Sequence, residues 1–481
     1  MYITAWNGGA ADDVPSDRAA LYPFVILPCK DGLVCICGRT RDEWSRLFKT
    51  MGSPDWAKRP RYQRLRAMGT QYPEEVDDLV IPWFARQSKA ELETIALDHN
   101  LIVAPIRDLT ESLETLHFTD RGFLVDAEVA GQLVRTLALP FQIRDTQAAN
   151  GRDITPTLLT KGSPAPWTRV PTSTLAPVEQ PLTGLRVLDF GWVWSAPWVG
   201  AILGELGAEV IKVEYGKRPD NLRLAGRVMR NGAVVEGPSM EMSPMYHQIN
   251  HGKLGITLNT KKPAAVELIK WLAALSDVII ENMSPGSLER SGLGYANLSA
   301  IKPDIVMLAM SVAGQHGALS TMRAYAPTMS SFVGMEALVG YRGESHIGAL
   351  NFALSDPGAS THALAPLLAA LHRAQATGEG CYIDFSQIES LLGTLRPYLL
   401  DNQVNGRQPP PLGNGHASMA PHGLYPAAGE DRRLTLSVRD DAGWLRLTEV
   451  VIGETWASDQ RLRMTAGRLT HRVKLDADIA E

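Results

Sequence analysis

The chain has 481 residues, 45% of them hydrophobic and 21% charged, with a formal net charge of -5. Such a length holds two or three domains with separate cores rather than one, and the lack of a basic excess argues against nucleic acid as a partner. No apolar run reaches the length of a bilayer span, and the opening MYITAWNGGAADD has neither a basic nor an apolar leader-like stretch, so a cytoplasmic protein without membrane association is expected.

The first structured segment, LYPFVILPCKDGLVCICGRTRDEWSRLFKTMG from Leu21, carries three of the four cysteines, Cys29, Cys35 and Cys37. With Cys381 they form no CxxC pair and no ligand set with histidine, so no metal is expected and the thiols read as reduced and structural. Strand periodicity puts Cys35 and Cys37 on one face, as core packing requires. The same pattern returns in LYPAAGEDRRLTLSVRDDAGWLRLTEVVIG from Leu424. Trp44 then matches Trp444, Trp56-Ala57 matches Trp456-Ala457, and Arg64-Leu65-Arg66 matches Arg461-Leu462-Arg463. Between the two copies, Val170 to Pro181 is rich in Pro and Thr without periodicity, as a linker would be.

From Leu182 the pattern becomes strand, turn, helix, strand: LRVLDF, GWVWSAP, WVGAILGELG, AEVIKVE. This is a βαβ unit with parallel strands, its helix ended by Gly207. Glu214 closes the second strand where nucleotide-binding folds often hold an acid for a ribose, but no glycine-rich fingerprint follows the first strand, which weakens an NAD-dependent oxidoreductase reading. A helix over Ala264 to Ala274 and strands over Asp277 to Ile280 and Ile305 to Met310 extend the sheet in the doubly wound style. Leu364, Leu367, Leu368 and Leu371 have helical spacing within Gly358 to Gln375, and CYIDFS after the TGEG turn is a strand. Asp356 stands just before that helix, where aspartate commonly acts as an N-cap.

Five stretches in order resemble CoA-transferase family III, also called the CaiB/BaiF or L-carnitine dehydratase/bile-acid-inducible family. They are PLTGLRVLDFGWVWSAPWVGAILGELGAEVIKVE, NHGKLGITLNTKKPAAVELIKWLAALSDVIIENMSPGSLERSGLGY, LSAIKPDIVMLAMSVAGQHG, the surroundings of SDPGAS, and ALHRAQATGEGCYIDFSQIESLL. The resemblance implies an α/β fold with a Rossmann-like large domain and a smaller α+β domain in an open ring, interlocked as a homodimer or with a partner half. It divides the chain into residues 1–177, the C-terminal-type part of a preceding copy; 178–400, the CoA-binding large domain; and 401–481, a linker with part of a second small domain. The chain is then either a natural permutation or a piece of a longer fusion.

The resemblance makes coenzyme A, as acyl-CoA, a substrate together with carboxylic acids, with no prosthetic group. Asp356 matches the nucleophile, which forms a mixed anhydride and then an aspartyl-CoA thioester. Leu258 and Lys261 would border the adenine and its phosphates, Asn282 would line the same pocket, Arg290 would pair with a phosphate, and Arg323 would reach the CoA phosphates. Two positions depart from the family: Ala326 stands where an acid is frequent, and Trp194 where a glutamine can sit. Tyr325-Ala326 supplies no His-Asp pair, which disfavours an acyl-CoA racemase or dehydratase-like reading; loss of the acid keeps open a non-catalytic CoA-binding half. The loops NGGAADD and PPLGNGHASMAPHG resemble mobile active-site loops, and His316, His346 and His416 are scattered singly with no assigned role.

Overall fold

The computed structural model describes residues 21–129, 131–145, 180–224, 229–230, 233–235, 240–341, 353–430, 432–451 and 454–481. The chain forms two compact units, Met1–Glu336 with Ala349–Gln408, and Ala337–Gly348 with Pro409–Glu481.

In the first unit, strands β1 (Phe24–Cys29), β2 (Gly32–Cys37) and β3 (Val103–Pro105) make a small antiparallel sheet, and β4 (Leu124–Val129) pairs with β5 (Gln132–Leu137). A core of its own, including Trp44, Phe48, Tyr62, Val80 and Phe84, packs the helices Arg41–Thr50 and Pro73–Phe84 on that sheet. Cys35 and Cys37 face the same side, both buried with their Sγ atoms 4.0 Å apart, and all four cysteines are free thiols.

The larger sheet has seven strands. They are β6 (Phe141–Asp145), β7 (Arg186–Asp189), β8 (Glu209–Glu214), β11 (Leu254–Thr257), β12 (Val278–Glu281), β13 (Val306–Ser311) and β14 (Cys381–Ser386); the short pair β9 (Met229–Arg230) and β10 (Ala233–Val234) lies outside it. Their order is β11-β8-β7-β12-β13-β14-β6, parallel except for β6, which runs antiparallel to β14 with Phe141 opposite Phe385. The βαβ pattern after Leu182 therefore extends as its periodicity predicts. The edge strand β6 comes from the N-terminal stretch, a long-range pairing with no local signal in the sequence.

Strands β12 and β13 are buried along their whole length, as parallel strands covered on both faces must be. Val278 and Ile280 join one core with the helices Ser195–Glu205 and Ser355–Thr377, while Ile279 joins another with Ile269 and Ala273 of the helix Pro263–Ala274. Gly380 is needed for close approach, since a Cβ there would lie 1.9 Å from the Ile305 carbonyl oxygen. The long helix begins at Ser355, with Leu354 at the N-cap. Asp356 thus lies inside its first turn and is not the cap, because the helix starts three residues before Gly358, where the apolar spacing begins.

Arg121, on the N-terminal stretch, joins it to the large sheet through charge. Its guanidinium donates to Asp384 of β14 at 2.9 Å and to Glu389 in the following helix Gln387–Gly393, with all three side chains at most 2% exposed. His316 completes the group, its Nδ1 2.9 Å from Asp384. Burial pushes Glu389 up to about 7 against the pull of Arg121, whereas Asp384, desolvated but bonded by His316 and Arg121, is held below the usual carboxylate range.

In the second unit, β15 (His422–Pro426) and β16 (Arg433–Ser437) form a hairpin followed by the helix Asp441–Val450. Trp444, Trp456, Leu462 and Leu475 make its core. Hairpin, helix and two short 3-10 turns follow one another as they do from β1 through Gln63. Ser437 stands four residues before Asp441, as Cys37 stands four before Arg41, so Phe24 matches His422 and Pro23 matches Pro421. The two Leu-Tyr-Pro triplets are consequently not equivalent: one precedes its strand and the other ends it, because the hairpin turns differ in length.

Replacing Arg121 by Ala should strand Asp384 and Glu389 as buried carboxylates and destabilise the first unit by about 3–5 kcal/mol. Urea unfolding followed by tryptophan fluorescence measures this; a loss below about 1 kcal/mol would show that the pair is not buried in solution.

A candidate active site at the switch point of the sheet

Because β7, β8 and β11 progress to one side and β12, β13 and β14 to the other, a crevice opens beyond the carboxyl ends of β7 and β12, the place where doubly wound sheets bind ligands. The loop leaving β7 is held there by four buried charges. Asp189 accepts the Gly191 N–H at 2.7 Å and Lys253 Nζ at 2.8 Å. Lys212 donates to the Gly191 carbonyl and lies 3.9 Å from Asp189 and 4.0 Å from Asp220. Asp220 accepts the N–H groups of Val193 and Leu222, each at 2.9 Å.

Two lysines thus offset two aspartates in a space closed to water. Burial alone would raise Asp189, yet Lys212 and Lys253 outweigh it and keep the carboxyl low; burial raises Asp220. The bonds also hold Val193 at a φ of 62°, a left-handed conformation that a β-branched residue enters only when its surroundings impose it.

Beyond that loop, Asn282 bridges the two strand ends. Its Oδ1 accepts the Trp192 N–H at 2.7 Å, and its Nδ2 donates to the Trp192 carbonyl at 2.8 Å and to Ser195 Oγ at 3.1 Å. The Ser355 hydroxyl donates to the Asp356 carboxylate at 3.4 Å, and the backbone amides of Ser195 and Asp356 favour its ionised form. Ser360 Oγ, one turn on, lies 2.8 Å from the Ser195 carbonyl and fixes the two helix starts together. Burial pushes Asp356 up to about 6, opposed by the Arg39 guanidinium and these hydrogen bonds. The result is a carboxylate still ionised at neutral pH but weakly solvated, the condition in which an oxygen nucleophile is reactive.

A cavity of about 150 Å³ adjoins this group, lined among others by Glu43, Asn282, Met283, Ser311, Arg323 and Tyr325. Ser311 at the end of β13 is 4% exposed, and its hydroxyl has no hydrogen-bond partner among the described residues. Tyr325 donates its hydroxyl to Glu43 at 3.0 Å, and burial together with that carboxylate raises the phenol. An acid therefore meets the aromatic position after all. It comes from the N-terminal stretch, while Ala326 is buried at the start of the helix Ala326–Phe332.

The structure thus brings Asn282 and Arg323 into one cavity and links Asp356 to Asn282 through Ser195. Leu258, half-buried beyond β11, donates its N–H to the Glu214 carbonyl at 2.8 Å. Lys261 is exposed two residues past Asn259, whose side chain its N–H contacts at 3.1 Å. Arg290 is exposed in the short helix Ser287–Arg290, with a guanidinium nitrogen 3.2 Å from the Pro285 carbonyl. These three lie outside the cavity, along the same carboxyl edge; β11 is three strands from β12, about 14 Å at normal strand spacing.

Glu214 is engaged by Arg223 at 2.7 Å and by the Tyr246 hydroxyl at 2.5 Å, which ties down the acid that a ribose would need. Residue 346, the NGGAADD loop and residues 170–179 of the linker lie outside the described residues. His416 receives the Ser418 N–H at 3.1 Å. Among the described residues no cluster of three or more His, Cys, Asp or Glu could hold a metal, and no helix is long and apolar enough to cross a membrane. Sequence reasoning missed Arg39, Glu43, Ser195, Ser311 and Asp220; Asp189, Lys212 and Lys253 stood inside the family-like stretches as LRVLDF, VIKVE and HGKLG without a role.

An α/β protein with a carboxylate at its switch point defines the class, and the family model for CoA-transferase family III matches residues 1–159 and 182–481. The chain belongs to CoA-transferase family III. It is 28% identical over 469 residues to a probable CoA-transferase of Mycobacterium tuberculosis, covering 95% of this chain but 57% of that relative's length. It is 29% identical over 297 residues to the succinate–glutarate CoA-transferase of Agrobacterium fabrum, covering 62% of this chain and 73% of the relative. Among solved structures, a CaiB/BaiF family protein from Brucella suis superposes with a TM-score of 0.56 at 27% identity, covering 63% of this chain and 77% of that one.

The raised Asp356 carries a stability consequence. An unfolded aspartate titrates near about 3.9, so the folded state binds the proton more tightly and loses stability as pH rises from about 4 to the folded value of about 6. Two units correspond to roughly 3 kcal/mol, which partial exposure reduces to about 1–2 kcal/mol. Asp356→Asn should therefore be more stable than the wild type by that amount at pH 7.5, with the difference vanishing near pH 4; urea midpoints at both pH values measure it.

Proposed function

We propose that this chain moves CoA from an acyl-CoA donor to a carboxylic acid acceptor, with Asp356 as the covalent nucleophile. The observation that carries the reading is the placement of Asp356: a desolvated carboxylate in the first turn of a helix, bonded by the Ser355 hydroxyl, at the crevice of a CoA-transferase family fold.

The ionised Asp356 oxygen attacks the donor thioester carbonyl, and the C–S bond breaks to give a mixed anhydride and CoA thiolate. The thiolate attacks the aspartyl carbonyl of that anhydride, releasing the donor acid and leaving an aspartyl-CoA thioester. An acceptor carboxylate attacks this thioester to form a second anhydride and expel the thiolate, which then takes the acceptor acyl group and frees Asp356. Thioester energy is conserved at each exchange, so no ATP is consumed. The Ser195 and Asp356 amides, which favour the ionised carboxylate, would also favour the charge that develops on the aspartyl oxygen.

Coenzyme A is long enough to lie along the carboxyl edge of the sheet, which suits the separation between Leu258 with Lys261 and the Asn282–Arg323 cavity. Leu258 and Lys261 would flank the adenine and its phosphates, Asn282 and Arg323 would line the path toward Asp356, and Arg290 would pair a phosphate. Family likeness supports a dimer of interlocked rings in the cytoplasm, with residues 1–177 serving as the C-terminal-type part of one copy, 178–400 as the large domain and 401–481 as part of the next small domain. The matching hairpin–helix order in the two units supports that division.

Incubation with a panel of acyl-CoA esters followed by hydroxylamine should leave a hydroxamate on Asp356 detectable by mass spectrometry. Asp356→Ala should lower kcat by at least about 10³-fold. Because the nucleophile is the ionised form, kcat/KM should climb with pH, reaching half its maximum near pH 6 before it levels off. Bound CoA without an adduct, or turnover by the alanine variant within tenfold of wild type, would replace this reading with a non-catalytic CoA-binding role.

A further inference from the structure

Arg39 sits between β2 and the helix Arg41–Thr50, and its backbone is fixed by the capping box at that helix: its N–H donates to Glu43 Oε2 at 2.8 Å beside the Thr40 N–H at 3.0 Å. Its guanidinium carbon lies 4.8 Å from the centroid of the Tyr325 ring and 5.6 Å from that of Phe24. Stacking of this kind holds the planar cation by its face and leaves its N–H edge available for a bidentate partner.

No such partner is present among the described residues. Of the other arginines placed over aromatic rings in this unit, Arg61 pairs with Glu75, Arg107 with Glu93 and Arg223 with Glu214 and Glu241, while Arg218, over the Trp192 ring, has no ion pair among the described residues; the buried Arg121 pairs with Asp384 and Glu389. The acid of the same capping box, Glu43, is taken up by the Arg39 and Thr40 N–H groups and the Tyr325 hydroxyl. Arg39 is thus a positioned cation without a counter-charge. It stands on Tyr325, which lines the same cavity as Asn282; Asn282 reaches Ser195, and Ser360 Oγ joins the Ser195 carbonyl at 2.8 Å to the Asp356 carbonyl at 2.7 Å. It is also the foremost positive charge acting on Asp356, without neutralising it in a direct pair.

We propose that Arg39 is the specificity residue of the site and that it binds the remote carboxylate of a dicarboxylic substrate. As the CoA half-ester the diacid would present its thioester carbonyl carbon to the Asp356 oxygen, and as the free acceptor one carboxylate oxygen to the aspartyl thioester, with the other carboxylate on the Arg39 guanidinium in both cases. This rests on the transfer reaction proposed above with Asp356 as nucleophile. A monocarboxylic acid of equal length cannot fill the second position and leaves the cation unpaired, so discrimination follows from a missing charge-assisted contact rather than from pocket size.

The test compares acceptors of equal chain length, succinate against butyrate and glutarate against valerate, in wild type, Arg39→Gln and Arg39→Lys, by initial rates of CoA-ester formation. Wild type should favour each diacid by about 100-fold in kcat/KM. Arg39→Gln should collapse that ratio to within about threefold of one, and Arg39→Lys, which keeps the charge without the fork, should restore part of it. A diacid preference that survives in Arg39→Gln, or a wild type that prefers neither class, overturns the proposal while leaving Asp356 chemistry standing. An equal loss for diacids and monoacids, with a matching rise in KM for every CoA ester, would assign Arg39 to the CoA phosphates and overturn it as well. Absence of transfer to any acid, with no adduct on Asp356, sinks the underlying reaction and this inference together.

Discussion

The contact that holds Ser195 to the start of the Asp356 helix, Ser360 Oγ at 2.8 Å from the Ser195 carbonyl, depends on where the loop after β7 is held, and that loop is held by charge. Asp189 and Asp220 take the N–H groups of Gly191 and Val193, while Lys212 and Lys253 bind the carbonyls of Gly191 and Pro197 and offset the acids. Four ions removed from water are expensive unless each is paired and hydrogen-bonded. Here they are, and what they enforce is one backbone path, including the left-handed Val193. A loop held only by apolar contacts could relax away from that conformation.

A second constraint acts between distant stretches of the chain. The N-terminal stretch supplies the edge strand β6, the Arg121 side chain to Asp384 and Glu389, and Glu43 with Arg39 around Tyr325. Strand pairing and the buried ion group hold it against the sheet, so the capping-box backbone that carries Arg39 and Glu43 is positioned relative to the crevice. Glu43 serves twice, closing a helix N-terminus and accepting the tyrosine hydroxyl, which leaves the neighbouring guanidinium without a partner. The charge distribution at the site is thus a by-product of how the helix is capped.

Much of the large sheet is legible in the chain because its signals are local. Alternation of apolar runs with helical spacing places β7, β8, β12, β13 and β14 to within a residue or two, and Gly207, at a φ of 103°, marks the turn after the first helix. Asp356 was legible as a chemical candidate only through resemblance; periodicity alone read it as a cap, since helical spacing does not show that Ser355 already has helical dihedrals. Leu258, Lys261 and Arg290 were legible only through the resemblance, and their spread along the sheet edge follows from the order of the strands, which no local pattern encodes.

By itself the sequence determined the α/β class, the parallel order of elements, the burial of the four thiols and membership in a family, because each is written in short-range periodicity or in ordered motifs. The tertiary structure alone decided which charges meet. Glu43 and Tyr325 are 282 residues apart, and Arg121 and Glu389 are 268 apart. Nothing in the spacing of either pair distinguishes it from the many other acids and bases of the chain. Their partnership arises only when an N-terminal strand closes the sheet and sets one chain segment's side chains against another's in a space that water has left.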